Sequence, residues 1–131
     1  MKKTSMILCG MMLLASSAMA QVKVIAHRGH WNSQGAAQNS IAAMQNAKKA
    51  DVWGSEFDVH ITTDGTVVVN HDDDIHGIII ENAKYADIKN LKLANGEPIA
   101  TLKSYLEAGK KLAPMQLILE IKAHQTPERE D

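Results

Sequence analysis

Ionisable side chains gather where four short apolar runs of this sequence end. In chain order they are His27 and Arg28, Glu56 and Asp58, His71 and Asp72, and Glu120 and Lys122. If the runs are strands of one largely parallel sheet, their carboxyl ends meet at one rim, where α/β folds bind ligands. The spacing therefore predicts one polar site assembled from four separate segments.

The acidic residues of this set predict a cation site. Glu56 and Asp58 are two residues apart and share one face of a strand. Two buried carboxylates repel each other, so their burial requires a cation or an arginine. Glu120 is a natural third ligand from another strand, and an all-oxygen set suits Mg²⁺ or Ca²⁺ rather than zinc. Two alternatives stay open: a solvated strand face at Glu56 and Asp58, and a simple surface pair of Glu120 with Lys122.

The two histidines and the arginine suit phosphodiester cleavage. This reaction needs one proton removed from the nucleophile and one given to the leaving alkoxide. His27 and His71, on opposite sides of a phosphate, can do both near neutral pH. The planar guanidinium of Arg28 can pair with a phosphate oxygen. As alternatives, His27 can be a hydrogen-bonded core residue and His71 a turn residue beside acids.

The elements that must position these residues alternate between strand and helix. Strands are predicted at residues 22–26, 53–61, 67–69 and 115–122, and residues 117–119 are apolar on both faces, as in a strand buried between layers. Helices are predicted at residues 41–50 after a cap at Asn39 or Ser40, at residues 87–91, and after a cap at Thr101. Residues 73–80 are predicted to be irregular. This order favours an α/β fold.

The link between the second and third strands is too short for a helical crossover. Either the Asp64-Gly65 turn closes a hairpin, with residues 58 and 70 nearly opposite, or the chain runs back extended and the third strand is parallel. Both routes bring His71 near Glu56 and Asp58. The predicted site therefore does not depend on which route the chain takes.

Composition and the N-terminus limit the classes of function. The chain has 131 residues, a formal net charge of −1 and 4% aromatic residues, so it lacks the basic and stacking surfaces of nucleic-acid binders. Lys2-Lys3, an apolar run at residues 6–15 and Ala18-Met19-Ala20 predict a signal peptide at residues 1–20. We therefore expect export to the periplasm or the cell exterior, with no stable membrane span after cleavage.

An ordered set of motifs resembles the glycerophosphodiester phosphodiesterases. The motifs are His27-Arg28-Gly29, Gln38-Asn39-Ser40, Glu56-Phe57-Asp58-Val59, Thr63-Asp64-Gly65, His71-Asp72 and Leu119-Glu120-Ile121-Lys122. The resemblance implies that residues 21–131 form the N-terminal portion, about four strands, of a (β/α)₈ TIM-type barrel. Such barrels need about 250 residues, so the domain is expected to be truncated.

The resemblance also implies what the residues do. The implied site residues are Glu56, Asp58 and Glu120 for a divalent cation, His27 and His71 as acid and base, and Arg28 and Lys122 for the phosphate. The implied reaction converts a glycerophosphodiester to glycerol 3-phosphate and an alcohol, through a cyclic phosphate that water opens. Two alternatives stay open: a non-catalytic remnant that binds a cation or phosphate, and a phospholipase D-like enzyme acting on lipid phosphodiesters.

Overall fold

The computed structural model describes residues 21–129, so the predicted signal peptide at residues 1–20 lies outside the described residues. Within this range the strands are β1 (Ile25–Ala26), β2 (Gly54–Ile61), β3 (Val67–Val69), β4 (Asp74–Ile75), β5 (Ile78–Ile79) and β6 (Gln116–Ile121). The α-helices are α1 (Ile41–Lys49), α2 (Tyr85–Ile88) and α3 (Leu102–Lys110), with 3₁₀ turns at Ile80–Asn82 and Pro127–Arg129. None of these helices is long and apolar enough to cross a bilayer.

β2 is the central strand of a four-stranded sheet. β1 and β6 pair with it in parallel, one on each edge, and β3 pairs antiparallel with its C-terminal part. The register sets Asp58 beside Glu120 and Val59 opposite Val69. The predicted α/β order with a largely parallel sheet is therefore confirmed.

The turn between β2 and β3 closes a hairpin, which decides between the two routes that the sequence leaves open. The backbone N–H of Thr62 donates to the carbonyl of Thr66 at 2.9 Å. The backbone N–H of Asn70 donates to the carbonyl of Asp58 at 3.1 Å, so residues 58 and 70 lie opposite each other. His71 consequently leaves the sheet at the end where Asp58 lies.

The prediction of an irregular segment at residues 73–80 is wrong. β4 and β5 form a small antiparallel hairpin there. His76 and Gly77 form its turn with φ values of 53° and 81°, the backbone of a type I′ turn, and the N–H of Gly77 donates to the Asp74 carboxylate at 2.8 Å. Ile75 is buried in a second core cluster and fixes the hairpin in place. Strands of two residues are too short to show periodicity in a sequence.

Side-chain caps begin the two longer helices as predicted. The Ser40 hydroxyl accepts from the N–H of Ala43 at the start of α1, and the Thr101 hydroxyl accepts from the N–H of Ser104 at the start of α3. Of the two candidates for the first cap, Ser40 is therefore the one used. α2 starts two residues before the predicted segment 87–91.

The main core lies between the sheet and the helices α1 and α3. Its buried side chains are Met44, Ala47, Phe57, Val59, Val69, Ala100, Tyr105 and Met115. Since side chains alternate along a strand, burial of Phe57 and Val59 under the helices turns Glu56 and Asp58 to the other face of β2. The alternation predicted for this strand is thus confirmed, and it leaves the acidic pair facing away from the helices.

The two outer strands differ from their predictions. β6 was expected to be buried on both faces, yet Leu119 is 41% and Ile121 55% exposed, because in the described residues β6 pairs with β2 alone. β1 is limited to two residues rather than residues 22–26, although the carbonyl of Val24 still accepts from the N–H groups of Trp53 and Gly54.

Candidate active site

The three carboxylates predicted as cation ligands converge at one end of the sheet. Glu56 and Asp58 project from β2, and the register of β6 places Glu120 beside Asp58. One oxygen atom of each lies within 4.8 Å of the other two. The side chain of Asp58 is fully buried, whereas those of Glu56 and Glu120 are 12% and 51% exposed. Burial of Asp58 excludes a simple solvated strand face.

The electrostatics of this carboxylate group favour a bound cation. The pKa of Glu56 is raised, mainly because its carboxyl group is buried, and the negative charges of Asp58 and Glu120 raise it further. The hydrogen bond from the Arg28 backbone N–H lowers it, but not enough to offset the rise. Oε1 of Glu56 and Oδ1 of Asp58 are buried and accept no hydrogen bond. Buried oxygens of this kind are suitable ligands for a hard divalent ion, so the three residues fit Mg²⁺ or Ca²⁺.

Lys122 places a positive charge beside the same carboxylates. Its Nζ donates to Oε1 of Glu120 at 2.9 Å and lies 3.6 Å from Oδ1 of Asp58. The hydrogen bond from Lys122 lowers the pKa of Glu120, and Glu120 in turn raises the pKa of Lys122. The surface pair of Glu120 and Lys122 does form, but the ammonium group also reaches the buried Asp58, so the pair belongs to the site.

Arg28 connects the carboxylates with the loop that follows β3. Its backbone N–H donates to Oε2 of Glu56 at 2.8 Å, and its Nε lies 3.9 Å from Oδ2 of Asp58. Its Nη1 donates to Oε1 of Gln38 at 2.7 Å, and its Nη2 lies 2.7 Å from Nε2 of His71. The guanidinium is thus held in one orientation by partners on three different segments of the chain.

The hydrogen bonds around His71 define its tautomer. Arginine donates and does not accept, so Nε2 of His71 accepts from Arg28. Nδ1 lies 2.7 Å from Oδ1 of Asp72 and therefore donates its proton to that carboxylate. In this arrangement Nδ1 is the donor of the ring and Nε2 is its acceptor. The ring of His60, from β2, donates from Nε2 to the backbone carbonyl of His71 at 3.2 Å and holds the loop in place.

His27 is the most exposed of the predicted site residues. Its side chain is 67% exposed, and its Nε2 lies 3.9 Å from Oε2 of Glu56. This exposure excludes the alternative of a core histidine. His27 therefore stands at the open side of the carboxylate group, while His71 lies on the side occupied by Arg28.

Asn39 is a site residue whose contacts the sequence does not reveal. It is 2% exposed, its Nδ2 donates to Oδ2 of Asp58 at 2.9 Å, and its Oδ1 accepts from the Asp58 backbone N–H at 3.1 Å. In the sequence it is a cap candidate and part of a motif. Its φ of 60° excludes the extended cap conformation and belongs to a region that asparagine tolerates better than most residues. An asparagine directly before a helix cap is the signal that would have suggested this role.

Gln38 and His60 are two further contacts that sequence reasoning missed. Gln38 accepts from Arg28, and His60 supports the backbone of His71. The signal for His60 was available, because it shares the alternating face of β2 with Glu56 and Asp58. Gln38 lies in a loop without periodicity, and its contact depends on how that loop folds.

Comparison with known proteins identifies what the chain is similar to. A family model described as the glycerophosphoryl diester phosphodiesterase family matches residues 27–131. A glycerophosphodiester phosphodiesterase of Parabacteroides distasonis has a crystal structure that is 51% identical in sequence, with a TM-score of 0.80 over 82% of this chain and 45% of that chain. A phosphodiesterase of Oleispira antarctica, solved in complex with the product sn-glycerol-3-phosphate, is 30% identical, with a TM-score of 0.72 over 83% of this chain and 48% of that chain.

A relative in sequence gives the same result over a shorter range. The glycerophosphodiester phosphodiesterase of Caldanaerobacter subterraneus subsp. tengcongensis is 44% identical over 52 residues, which are 40% of this chain and 21% of that protein. The structural relatives are TIM barrels, so the described residues form an α/β portion of such a barrel. The chain spans less than half the length of the solved structures it matches.

Proposed function

This chain belongs to the glycerophosphoryl diester phosphodiesterase family, and we propose that its site hydrolyses glycerophosphodiesters to glycerol 3-phosphate and an alcohol. One observation carries the proposal: a group of three carboxylates, with buried oxygens that accept no hydrogen bond, lies next to the pair of Arg28 and His71. The first feature suits a divalent cation and the second suits a phosphate and a proton transfer.

Glu56, Asp58 and Glu120 are the residues that would hold the cation, and we expect Mg²⁺ or Ca²⁺ there. When bound, the ion supplies a Lewis acid that withdraws charge from a phosphate or hydroxyl oxygen. The chain's part is to keep these carboxylates together despite their repulsion. Asn39 does so by donating to Asp58, and the backbone of Arg28 does so by donating to Glu56.

Arg28 and Lys122 are the proposed phosphate contacts. In this structure Arg28 donates to two neutral acceptors, Gln38 and the imidazole of His71. An anionic phosphodiester is a stronger acceptor for a guanidinium than either of these, because both partners then carry charge and two parallel hydrogen bonds can form. Lys122, with its Nζ between Glu120 and Asp58, adds a second positive charge at the cation group.

His27 and His71 are the proposed acid and base. One of them takes the proton of the attacking glycerol hydroxyl, which forms a bond to phosphorus. The other gives a proton to the oxygen of the departing alcohol as its bond to phosphorus breaks. Water then opens the cyclic phosphate by the reverse pair of transfers. Hydrogen bonding of His71 to Asp72 orients the ring for either role.

Release of choline and glycerol 3-phosphate from glycerophosphocholine tests the proposal. The chain is assayed with Mg²⁺ or Ca²⁺, and again with a chelator in excess. Asp58→Asn should abolish the metal-dependent rate, whereas the control Asp51→Asn, at an exposed residue after α1, should keep it. Cation binding without hydrolysis would instead support the alternative of a non-catalytic binding remnant, and equal rates after metal removal would reject the ligand assignment.

We also propose that the protein is exported. The support is the sequence of residues 1–20, with two lysines, an apolar run and an Ala18-Met19-Ala20 cleavage site. If a signal peptidase removes this segment, the secreted chain begins at Gln21. N-terminal sequencing of the chain from the exported fraction is the test, and an intact Met1 there would contradict it.

A further inference from the structure

The start of helix α1 is capped by a carboxylate from a distant part of the chain. The first two backbone N–H groups of the helix, those of Ile41 and Ala42, donate to Glu97 at 3.0 and 3.1 Å. The third, that of Ala43, donates to the Ser40 hydroxyl at 3.0 Å. The first N–H groups of a helix have no partner within the helix, and Glu97, 55 residues beyond Ala42, accepts from two of them.

The loop that carries Glu97 is itself held on both sides. The backbone N–H of Leu93 donates to the carbonyl of Glu97 at 2.8 Å, and Ile99, which is 2% exposed, lies in the second core cluster. Asn95 donates from Nδ2 to Oε1 of Glu97 at 2.9 Å and to the carbonyl of Gly35 at 3.1 Å. The carboxylate therefore has a defined position against the segment that leads into α1.

This segment carries two contacts of the candidate active site. Asn39 forms two hydrogen bonds with Asp58, and Gln38 accepts from Arg28 at 2.7 Å. The backbone N–H of Asn39 also donates to the carbonyl of Arg28 at 3.1 Å. With a φ of 60°, Asn39 has a sparsely populated backbone conformation, which persists only where its surroundings hold it. It lies two residues before the first N–H group that Glu97 binds.

From these contacts we infer that Glu97 is a positioning residue for the candidate active site. Within residues 21–129 its carboxylate accepts only from the backbone at the start of α1 and from Asn95, so it acts on the site without touching it. By fixing the start of the helix, it keeps Asn39 turned toward Asp58 and keeps that carboxylate oriented for the cation. The effect on turnover rests on the proposed function, whereas the effect on the Asn39 bridge does not.

The bridge from Asn39 to Asp58 can be followed by NMR in a ¹⁵N-labelled chain without metal or substrate. The side-chain amide of Asn39 is buried and donates to Asp58, so its protons exchange slowly with solvent. Glu97→Gln keeps the size of the side chain but replaces one acceptor oxygen with an NH₂ group, which cannot accept from a backbone N–H. We expect these protons to exchange about fivefold faster in Glu97→Gln, the effect of one lost hydrogen bond.

The matched control removes the cap of the other long helix. Thr101→Ala deletes the hydroxyl that accepts from the N–H of Ser104 at the start of α3, and this hydroxyl has no hydrogen bond to a site residue among the described residues. Exchange at Asn39 should change by less than about twofold there, because effects at independent sites do not couple. Equal acceleration in both variants would assign the effect to a general loss of stability and overturn the inference, as would a wild-type rate in Glu97→Gln.

Titration with Ca²⁺ alone measures whether the positioning extends to the carboxylate group. Substitution of an outer-shell partner of a metal ligand typically costs about 10- to 100-fold in affinity, and Glu97 acts one contact further away, so we expect Glu97→Gln to weaken Ca²⁺ binding about fivefold. In an Asn39→Gly chain the same substitution should have little further effect, because the contact through which it acts is gone. An undiminished loss in that chain would mean that Glu97 acts by another route, contrary to the inference.

Turnover separates this inference from the proposed function. In the hydrolysis of glycerophosphocholine, Glu97→Gln should raise the Ca²⁺ concentration for half-maximal rate about fivefold and leave kcat at saturating Ca²⁺ within about twofold of the wild type. A loss in kcat alone would contradict positioning of the cation ligands. A wild-type chain that hydrolyses no diester would overturn the proposed function, and the exchange at Asn39 would still decide whether Glu97 holds the bridge.

Discussion

The guanidinium of Arg28 donates a hydrogen bond to the imidazole of His71, with Nη2 2.7 Å from Nε2. The proton of His71 is kept at Nδ1, where Asp72 accepts it. Under the proposed function, a phosphodiester that accepts from Nη2 replaces this contact, and the same exchange frees Nε2 for proton transfer. Phosphate binding at Nη2 and release of the imidazole are therefore coupled through a single hydrogen bond.

Replacement of Arg28 tests this coupling. In Arg28→Lys the charge is kept but the planar fork that reaches both Gln38 and His71 is lost. We expect kcat/KM for glycerophosphocholine to fall by roughly 10- to 100-fold, the size of one or two charge-assisted hydrogen bonds. Steady-state kinetics with saturating Mg²⁺ is the measurement. If Arg28→Lys had the kcat/KM of the wild type, a positive charge at this position would be sufficient for turnover and the planar guanidinium would not be needed.

Removal of either imidazole should have a larger effect. His27→Ala and His71→Ala should each lower kcat by at least about 100-fold, the lower end of contributions from general acid–base catalysis. His30→Ala, at an exposed residue of the same loop as His27, is the control and should retain activity. A rate close to that of the wild-type chain in either site variant would remove that histidine from the mechanism.

A divalent cation should stabilise the fold as well as support turnover. Its binding relieves repulsion within the carboxylate group, and at one hundred times its dissociation constant it adds about 2.7 kcal/mol to the free energy of unfolding. Thermal unfolding with and without Mg²⁺ or Ca²⁺ measures this. Glu120→Gln should reduce the increase in Tm, and Glu107→Gln, on the exposed side of α3, should leave it intact. An equal increase in both variants would place the cation elsewhere.

The bridge from Asn39 to Asp58 should be important for stability. Asn39→Ala leaves the buried Asp58 amide and one of its carboxylate oxygens without their partner, which costs about 1–3 kcal/mol per group. Alanine is also strained at the φ of 60° found here. Urea unfolding should therefore show a larger loss for Asn39→Ala than for Asn39→Gly, because glycine tolerates this φ and loses only the hydrogen bonds. A loss below about 0.5 kcal/mol in both, typical of surface substitutions, would contradict the structure.

The carboxylate of Glu81 predicts a dependence of stability on pH. The Thr126 hydroxyl and the backbone N–H groups of Gln125 and Thr126, at 2.8 and 3.0 Å, donate to it and hold its pKa below the ordinary value of 4.5. Since the folded pKa is depressed, the stabilisation is present above pH 4.5 and is lost as the pH falls through the folded pKa.

Urea unfolding of the wild type and Glu81→Gln between pH 7 and pH 3 measures this effect. The difference in unfolding free energy should be largest at neutral pH and should shrink below pH 4.5. Glu128→Gln, at an exposed residue in the last 3₁₀ turn, is the control and should show no such trend. A difference that stays constant over the whole range would mean that the charge of Glu81 is not what holds the segment after β6.

Several features of the site could be predicted because they follow from periodicity. The alternation around Phe57 separates Glu56 and Asp58 from the core, and strand ends place Glu120 at the same rim. The β4–β5 hairpin was missed because two-residue strands have no period to detect, and the exposure of Leu119 was missed because apolar residues on both faces do not reveal whether a second layer covers them.

Residue types and their alternation along the chain are enough to tell which side chains share a strand face, where the two longer helices start, and which acids and histidines belong to one rim. The direction of the loop side chains was decided by the folded molecule alone. Arg28 reaches His71, and Asn39 reaches Asp58, because backbone at positive φ turns them inward and segments far apart in sequence meet there. Such contacts depend on loop conformation, which has no period, so no spacing in the sequence encodes them.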